Sequence, residues 1–84
     1  MKHVSGAGLD NLDDLLCELR RLDGLTEKKR GVFYRGSRAF LHFHEDPTGL
    51  YCDVRLGADF ERFRVKTTTE RTRLISMVRA ALAR

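Results

Sequence analysis

Apolar residues recur along this chain with two periods, and the change from one to the other marks out the elements. Leu12, Leu15, Leu16, Leu19 and Leu22 lie three and four apart, the spacing of a single helical stripe. The helix is expected to open at Leu9-Asp10, an apolar residue followed by a carboxylate that can accept from free backbone N–H groups. Asp13 and Asp14 place negative charge in its first turn, where the helix dipole favours it. Arg20 and Arg21 suit the last turn, and Gly24 the C′ position with Leu25 packed behind it. Residues 1–8, with Ser5-Gly6-Ala7-Gly8, carry no periodicity and read as a flexible leader to a single domain over 9–84.

Beyond a polar connection from Thr26 to Gly31 the period falls to two. Val32-Phe33-Tyr34 is a short strand ended by the turn residues of Arg35-Gly36-Ser37-Arg38. Strands from about Ala39 to His44 and Leu50 to Leu56 flank Asp46-Pro47-Thr48-Gly49, which has the composition of a tight turn. Folding back about that turn sets Glu45 opposite Leu50, His44 opposite Tyr51, Phe43 opposite Cys52 and His42 opposite Asp53. One face of the hairpin then carries Ala39, Leu41, Phe43, Cys52, Val54 and Leu56, and the other Phe40, His42, His44, Tyr51, Asp53 and Arg55. Phe60 to Val65 alternates again as a fourth strand, with Arg62 and Arg64 on one side and Phe63 and Val65 on the other, a short helical turn at Phe60 being the alternative.

Thr67-x-x-Glu70 is a capping box, and Leu74, Ile75, Val78, Ala81 and Leu82 form the apolar stripe of the helix that it opens. The expected fold class is therefore α+β in two layers. An antiparallel sheet of three or four strands has the N- and C-terminal helices on one face, in the order α-β-β-β-β-α. The other sheet face is left to solvent, a ligand or a partner.

A chain of 84 residues supports one modest core. Its apolar runs are far short of the roughly 20 residues of a membrane span, no apolar stretch of a signal peptide follows Met1-Lys2-His3, and no membrane partner is expected. Cys17 and Cys52 are too few and too far apart for a zinc cluster or disulfide scaffold, which points to a cytoplasmic protein. Cys17 falls opposite the leucines and is expected to be exposed. The net charge of +4 is unevenly placed: residues 1–27 hold three basic and six acidic side chains, and residues 28–84 hold thirteen and six. That asymmetry can steer an anion or an acidic partner to the sheet side.

The polar hairpin face carries the candidate chemistry. Its ligand-binding residues are Phe40, His42, His44, Tyr51, Asp53, Arg55, Arg62 and Arg64. Rings interleaved with guanidinium groups, with Arg35, Arg38 and Lys28-Lys29-Arg30 nearby, make a platform on which nucleic-acid bases can stack. His42 and His44 project from one side of a strand with Asp53 across from His42, and two imidazoles and a carboxylate suit Zn or Fe(II) with positions left open. His3 could add a further donor from the leader. The plain structural alternative pairs His42 with Asp53 and stacks His44 on Tyr51. The same face could instead join two copies in a homodimer, with Phe40 and Tyr51 as anchors. No catalytic residues are assigned, because Cys52 points to the core and no nucleophile motif, phosphate loop or H-E-x-x-H string occurs. The expected function is a non-enzymatic interaction module for a nucleic acid or other anionic partner. The alternatives are a His/Asp metal-binding protein and a homodimerising structural domain.

Leu22-Asp-Gly-Leu-Thr-Glu27 at a helix end, followed by Val32-Phe33-Tyr34, a Gly-containing turn and a second strand, resembles the small YjbR-like (MmcQ-like) domains. Phe40-Leu-His-Phe-His44 and Asp53-Val-Arg-Leu56 also resemble strands of the actinobacterial and fungal luciferase-like small-domain proteins. The likeness spans roughly residues 12–82. The first resemblance implies a compact α+β fold related to the frataxin-like one and DNA binding. The second implies no assigned chemistry, and no flavin-binding or luciferase motif accompanies it.

Overall fold

The computed structural model describes residues 2–84. In chain order the elements are β1 (Lys2–His3), α1 (Gly6–Asn11), α2 (Asp13–Arg20), β2 (Thr26–Lys29), β3 (Val32–Arg35), β4 (Arg38–Asp46), β5 (Gly49–Arg55), β6 (Phe60–Arg64) and α3 (Thr68–Leu82). The strands form an antiparallel sheet in the order β2-β3-β4-β5-β6, and β1 pairs with β4 beyond the end of β3. The fold is α+β as expected, with two N-terminal helices rather than one and five main strands rather than three or four.

The extra elements come from residues whose local signals were weak. Ser5, not Asp10, caps the first helix: its Oγ accepts from Gly8 N at 3.1 Å, while its N and Oγ both donate to Glu45 Oε1 at 3.0 and 2.9 Å. The stretch read as a leader thus supplies β1, a cap and the start of α1. The helix breaks at Leu12, whose φ of −92° and ψ of 7° leave the helical region. Leu12 is fully buried, so the corner is held by packing rather than by a side-chain cap. α2 stops at Arg20 with Arg21 as its C-cap, ahead of Gly24.

Thr26–Lys29 has little intrinsic preference for a strand, yet it pairs with β3. Glu27 is tied to Arg20 and accepts from Gly31 N at 3.0 Å, and Lys28 lies over the Tyr34 ring. The strand forms the outer edge of the sheet, where its charges discourage pairing with another chain.

The central hairpin folds in the expected register, from Leu41↔Val54 through Glu45↔Leu50 to Asp46↔Gly49. Asp46 Oδ1 accepts from Thr48 N at 2.8 Å, and Gly49 takes φ +134°. Leu41, Phe43, Cys52 and Val54 are buried beneath the helices together with Leu12, Leu16, Leu19, Phe33, Val65, Leu74 and Val78. Phe40 departs from the expected alternation. Phe33 pairs with Leu41 and Tyr34 with Ala39, so Phe40 is the extra residue of a β-bulge. The bulge turns it into the core at 3% exposure instead of onto the outer face.

α3 begins at the expected capping box: Thr67 Oγ1 accepts from Glu70 N at 3.1 Å, and Glu70 Oε1 accepts from Thr67 N at 2.9 Å. Arg64 Nε donates to Glu70 Oε2 at 2.7 Å, joining the helix start to β6. The Thr67 amide first, and Arg64 after it, hold the Glu70 carboxyl at about 2, against an ordinary 4.5.

Two outcomes are expected. Glu70 binds its proton less readily in the folded chain than in the unfolded one. Its stabilising contribution is therefore complete above about pH 4.5 and lost as pH falls toward about 2. Glu70→Gln should flatten the acid limb of a stability–pH curve from urea melts, and an unchanged limb would refute this. Gly31 has φ +81°, and a Cβ there would lie 2.7 Å from Leu9 Cδ2. Gly31→Ala should cost about 2 kcal/mol or more by denaturant titration, and a loss within error of zero would show that the turn relaxes freely.

Candidate metal centre

Regular alternation on β4, β5 and β6 lines up the outer-face residues in rows. His42, Asp53 and Arg62 occupy one row across the three strands, and His44, Tyr51 and Arg64 the next. Asp53 is the one buried charged side chain among the described residues, at 7% exposure. A carboxylate so placed needs opposite charge at both oxygens. Arg62 supplies it as a two-toothed fork, Nε to Oδ1 at 2.7 Å and Nη2 to Oδ2 at 2.8 Å. His44 Nε2 lies 3.0 Å from Oδ2.

These contacts set the charge of the site. The Arg62 hydrogen bonds hold the Asp53 carboxyl below its ordinary value against the opposing effect of burial, with His44 assisting. Asp53 in turn raises the Arg62 guanidinium. The carboxylate is thus an anion with both oxygens directed, which is the form a metal ligand needs.

The two imidazoles pack edge to face, ring centroids 4.7 Å apart, and His42 also meets the edge of Phe60 at 4.8 Å. The Arg55 guanidinium lies over the Phe60 ring, 4.4 Å from its centroid. Asp53 is therefore held directly by Arg62, with His44 Nε2 close on the diagonal. The Tyr51 hydroxyl is 2.6 Å from Thr48 Oγ1 in the hairpin turn.

One donor atom from each of His42, His44 and Asp53 falls within 4.8 Å of the other two. Two donors bonded to one ion at about 2.1 Å stand about 3.0–3.4 Å apart at the angles a four- to six-coordinate ion uses. The 3.0 Å between His44 and Asp53 already meets that spacing, and the third donor lies within 4.8 Å of both. The cluster can thus coordinate one metal ion. His3 is the register neighbour of His44; its side chain lies outside the described residues.

The other expected site residues have different employment. Phe40 is in the core, and Phe60 takes its place as the aromatic wall of the face. The signal for Phe60 was its parity with Arg62 and Arg64, obscured by the ambiguous start of β6. Arg55 Nε donates to Ala39 O at 2.9 Å, satisfying a carbonyl beyond the last β4–β5 pair. Arg64 is bound to Glu70, Arg35 to the carbonyls of Ala81 and Arg84, and Arg30 to Asp10. The guanidinium groups expected to form an anion-binding platform are thus largely engaged within the chain. Cys52 is a buried free thiol that burial pushes well above its ordinary value, and Cys17 is free and exposed. No helix is long and apolar enough to cross a membrane among the described residues.

Comparison with protein-family models, with curated proteins and with solved structures gives no match to this chain.

Removing either half of the Arg62–Asp53 pair should have unequal effects. Arg62→Ala leaves a buried carboxylate with only the two histidines beside it and should give the larger fall in stability. Asp53→Asn frees a guanidinium whose side chain is 44% exposed and can rehydrate, so its loss should be the smaller. Urea midpoints of the two variants check this, and equal losses would contradict the asymmetry.

Proposed function

We propose that this chain binds one divalent transition-metal ion, Zn²⁺ or Fe²⁺, through His42, His44 and Asp53. The observation that carries the reading is the convergence of three donors within 4.8 Å on one sheet face, one of them a buried, ionised carboxylate. Nitrogen and carboxylate donors suit both ions, and three protein ligands leave positions open for water or a small ligand. Partial burial by Phe60 supports the reading, since it limits solvent access to the donors.

A nucleic-acid or anionic partner is less well supported. Stacking platforms need aromatic rings and guanidinium groups that face outward and are free to move. Here Phe40 lies inside, Tyr51 is bonded to the turn, and Arg55, Arg62 and Arg64 each donate to an acceptor of the same chain.

Calorimetric titration of the whole chain with Zn²⁺, and anaerobically with Fe²⁺, should give one site per chain. His42→Ala, His44→Ala and Asp53→Asn should each weaken it by about a hundredfold or more, beyond the 10- to 100-fold typical of losing an outer hydrogen-bond partner. Absence of uptake by the unaltered chain, or uptake that survives all three substitutions, would overturn the proposal.

A further inference from the structure

With His42, His44 and Asp53 assigned to a metal, the site holds one more charged group, the guanidinium of Arg62. Its Nη2 donates to Asp53 Oδ2 at 2.8 Å. Oδ2 is also the oxygen that faces His44 Nε2 at 3.0 Å. An ion bridging His44 and Asp53 through Oδ2 shares that oxygen with the Arg62 guanidinium. Two cations then stand against one carboxylate at short range, and they repel each other.

Arg62 is also the group able to leave. Its side chain is 44% exposed, while that of Asp53 is 10% exposed. It projects from β6, the last strand in the sheet order. A guanidinium turned outward there regains water, whereas the carboxylate has nowhere to go.

Resting on the metal reading above, we propose that Arg62 is a displaceable lock on the centre. Without metal, its guanidinium stands in for the cation and keeps the buried carboxylate neutralised. Metal entry replaces that pairing and turns the side chain out toward solvent. The lock lowers affinity for the ion, and it keeps the empty centre folded.

The test compares the full-length chain with Arg62→Gln and Arg62→Lys by Zn²⁺ calorimetry, after circular dichroism confirms that each is folded. Arg62→Gln should bind at least tenfold tighter than the unaltered chain, the exchange of about one charge-assisted pair. Arg62→Lys, a point charge without the planar fork, should fall between them. In nitrogen-15 spectra of the unaltered chain, the Arg62 Nε–H signal should be protected by its bond to Asp53, and should lose that protection as Zn²⁺ is added to one equivalent. This second readout holds even where Arg62→Gln fails to fold. Equal or weaker binding by Arg62→Gln, with the unaltered chain binding normally, would overturn the lock and leave the metal reading standing. An Nε–H signal indifferent to bound Zn²⁺ would do the same. No uptake by any of the three proteins would remove both.

Discussion

A buried carboxylate needs polar partners at its oxygens, and this requirement at Asp53 organises the outer face. Arg62 on one neighbouring strand and His44 on the other converge on the two oxygens. Because both partners come from different strands, the pairing of β4, β5 and β6 and the ionisation of Asp53 depend on one another. A slip of β6 by one residue would carry Arg62 to the opposite face and strip the buried carboxylate of its guanidinium. The same demand places a guanidinium, an imidazole and an anion together, the raw material from which a metal site can be made.

Much of this was legible in the chain. The Asp46–Gly49 turn is strong enough to fix the hairpin register, and with it the shared face of His42, His44 and Asp53. The Thr67–Glu70 box fixes the start of the last helix. Other features depend on contacts between distant residues, which local pattern does not carry. Ser5 becomes a helix cap because Glu45, forty positions away, meets it. Thr26–Lys29 becomes a strand because β3 offers an edge and Arg20 reaches Glu27. Phe40 was misplaced because alternation assumes a bulge-free strand. The approach of His44 to Asp53 could not be foreseen from Cα register, since diagonal neighbours lie within reach of a long side chain.

Arginine in this fold acts mostly as a tie between elements. Arg71 links the start of α3 to Val65 and Asn11, Arg35 reaches the end of the same helix, and Arg64 holds its first turn. A small domain with a single core gains from such links, because each planar fork satisfies carbonyls or carboxylates that the strands leave over. The surplus of positive charge in the second part of the chain thus has an internal use, and net charge alone would overstate the appetite of the surface for anions.

The bulge at Phe40 also separates the sheet into two regions of independent phase. On one side of it Arg38 and Ala39 pair with Arg35 and Tyr34; on the other, Leu41 and His42 pair with Phe33 and Val32 in the register that the hairpin turn sets. Drift in the first region can therefore proceed without reversing which way the imidazoles point. A single unpaired residue thus stands between the phase of the donor strand and the turn at Gly36.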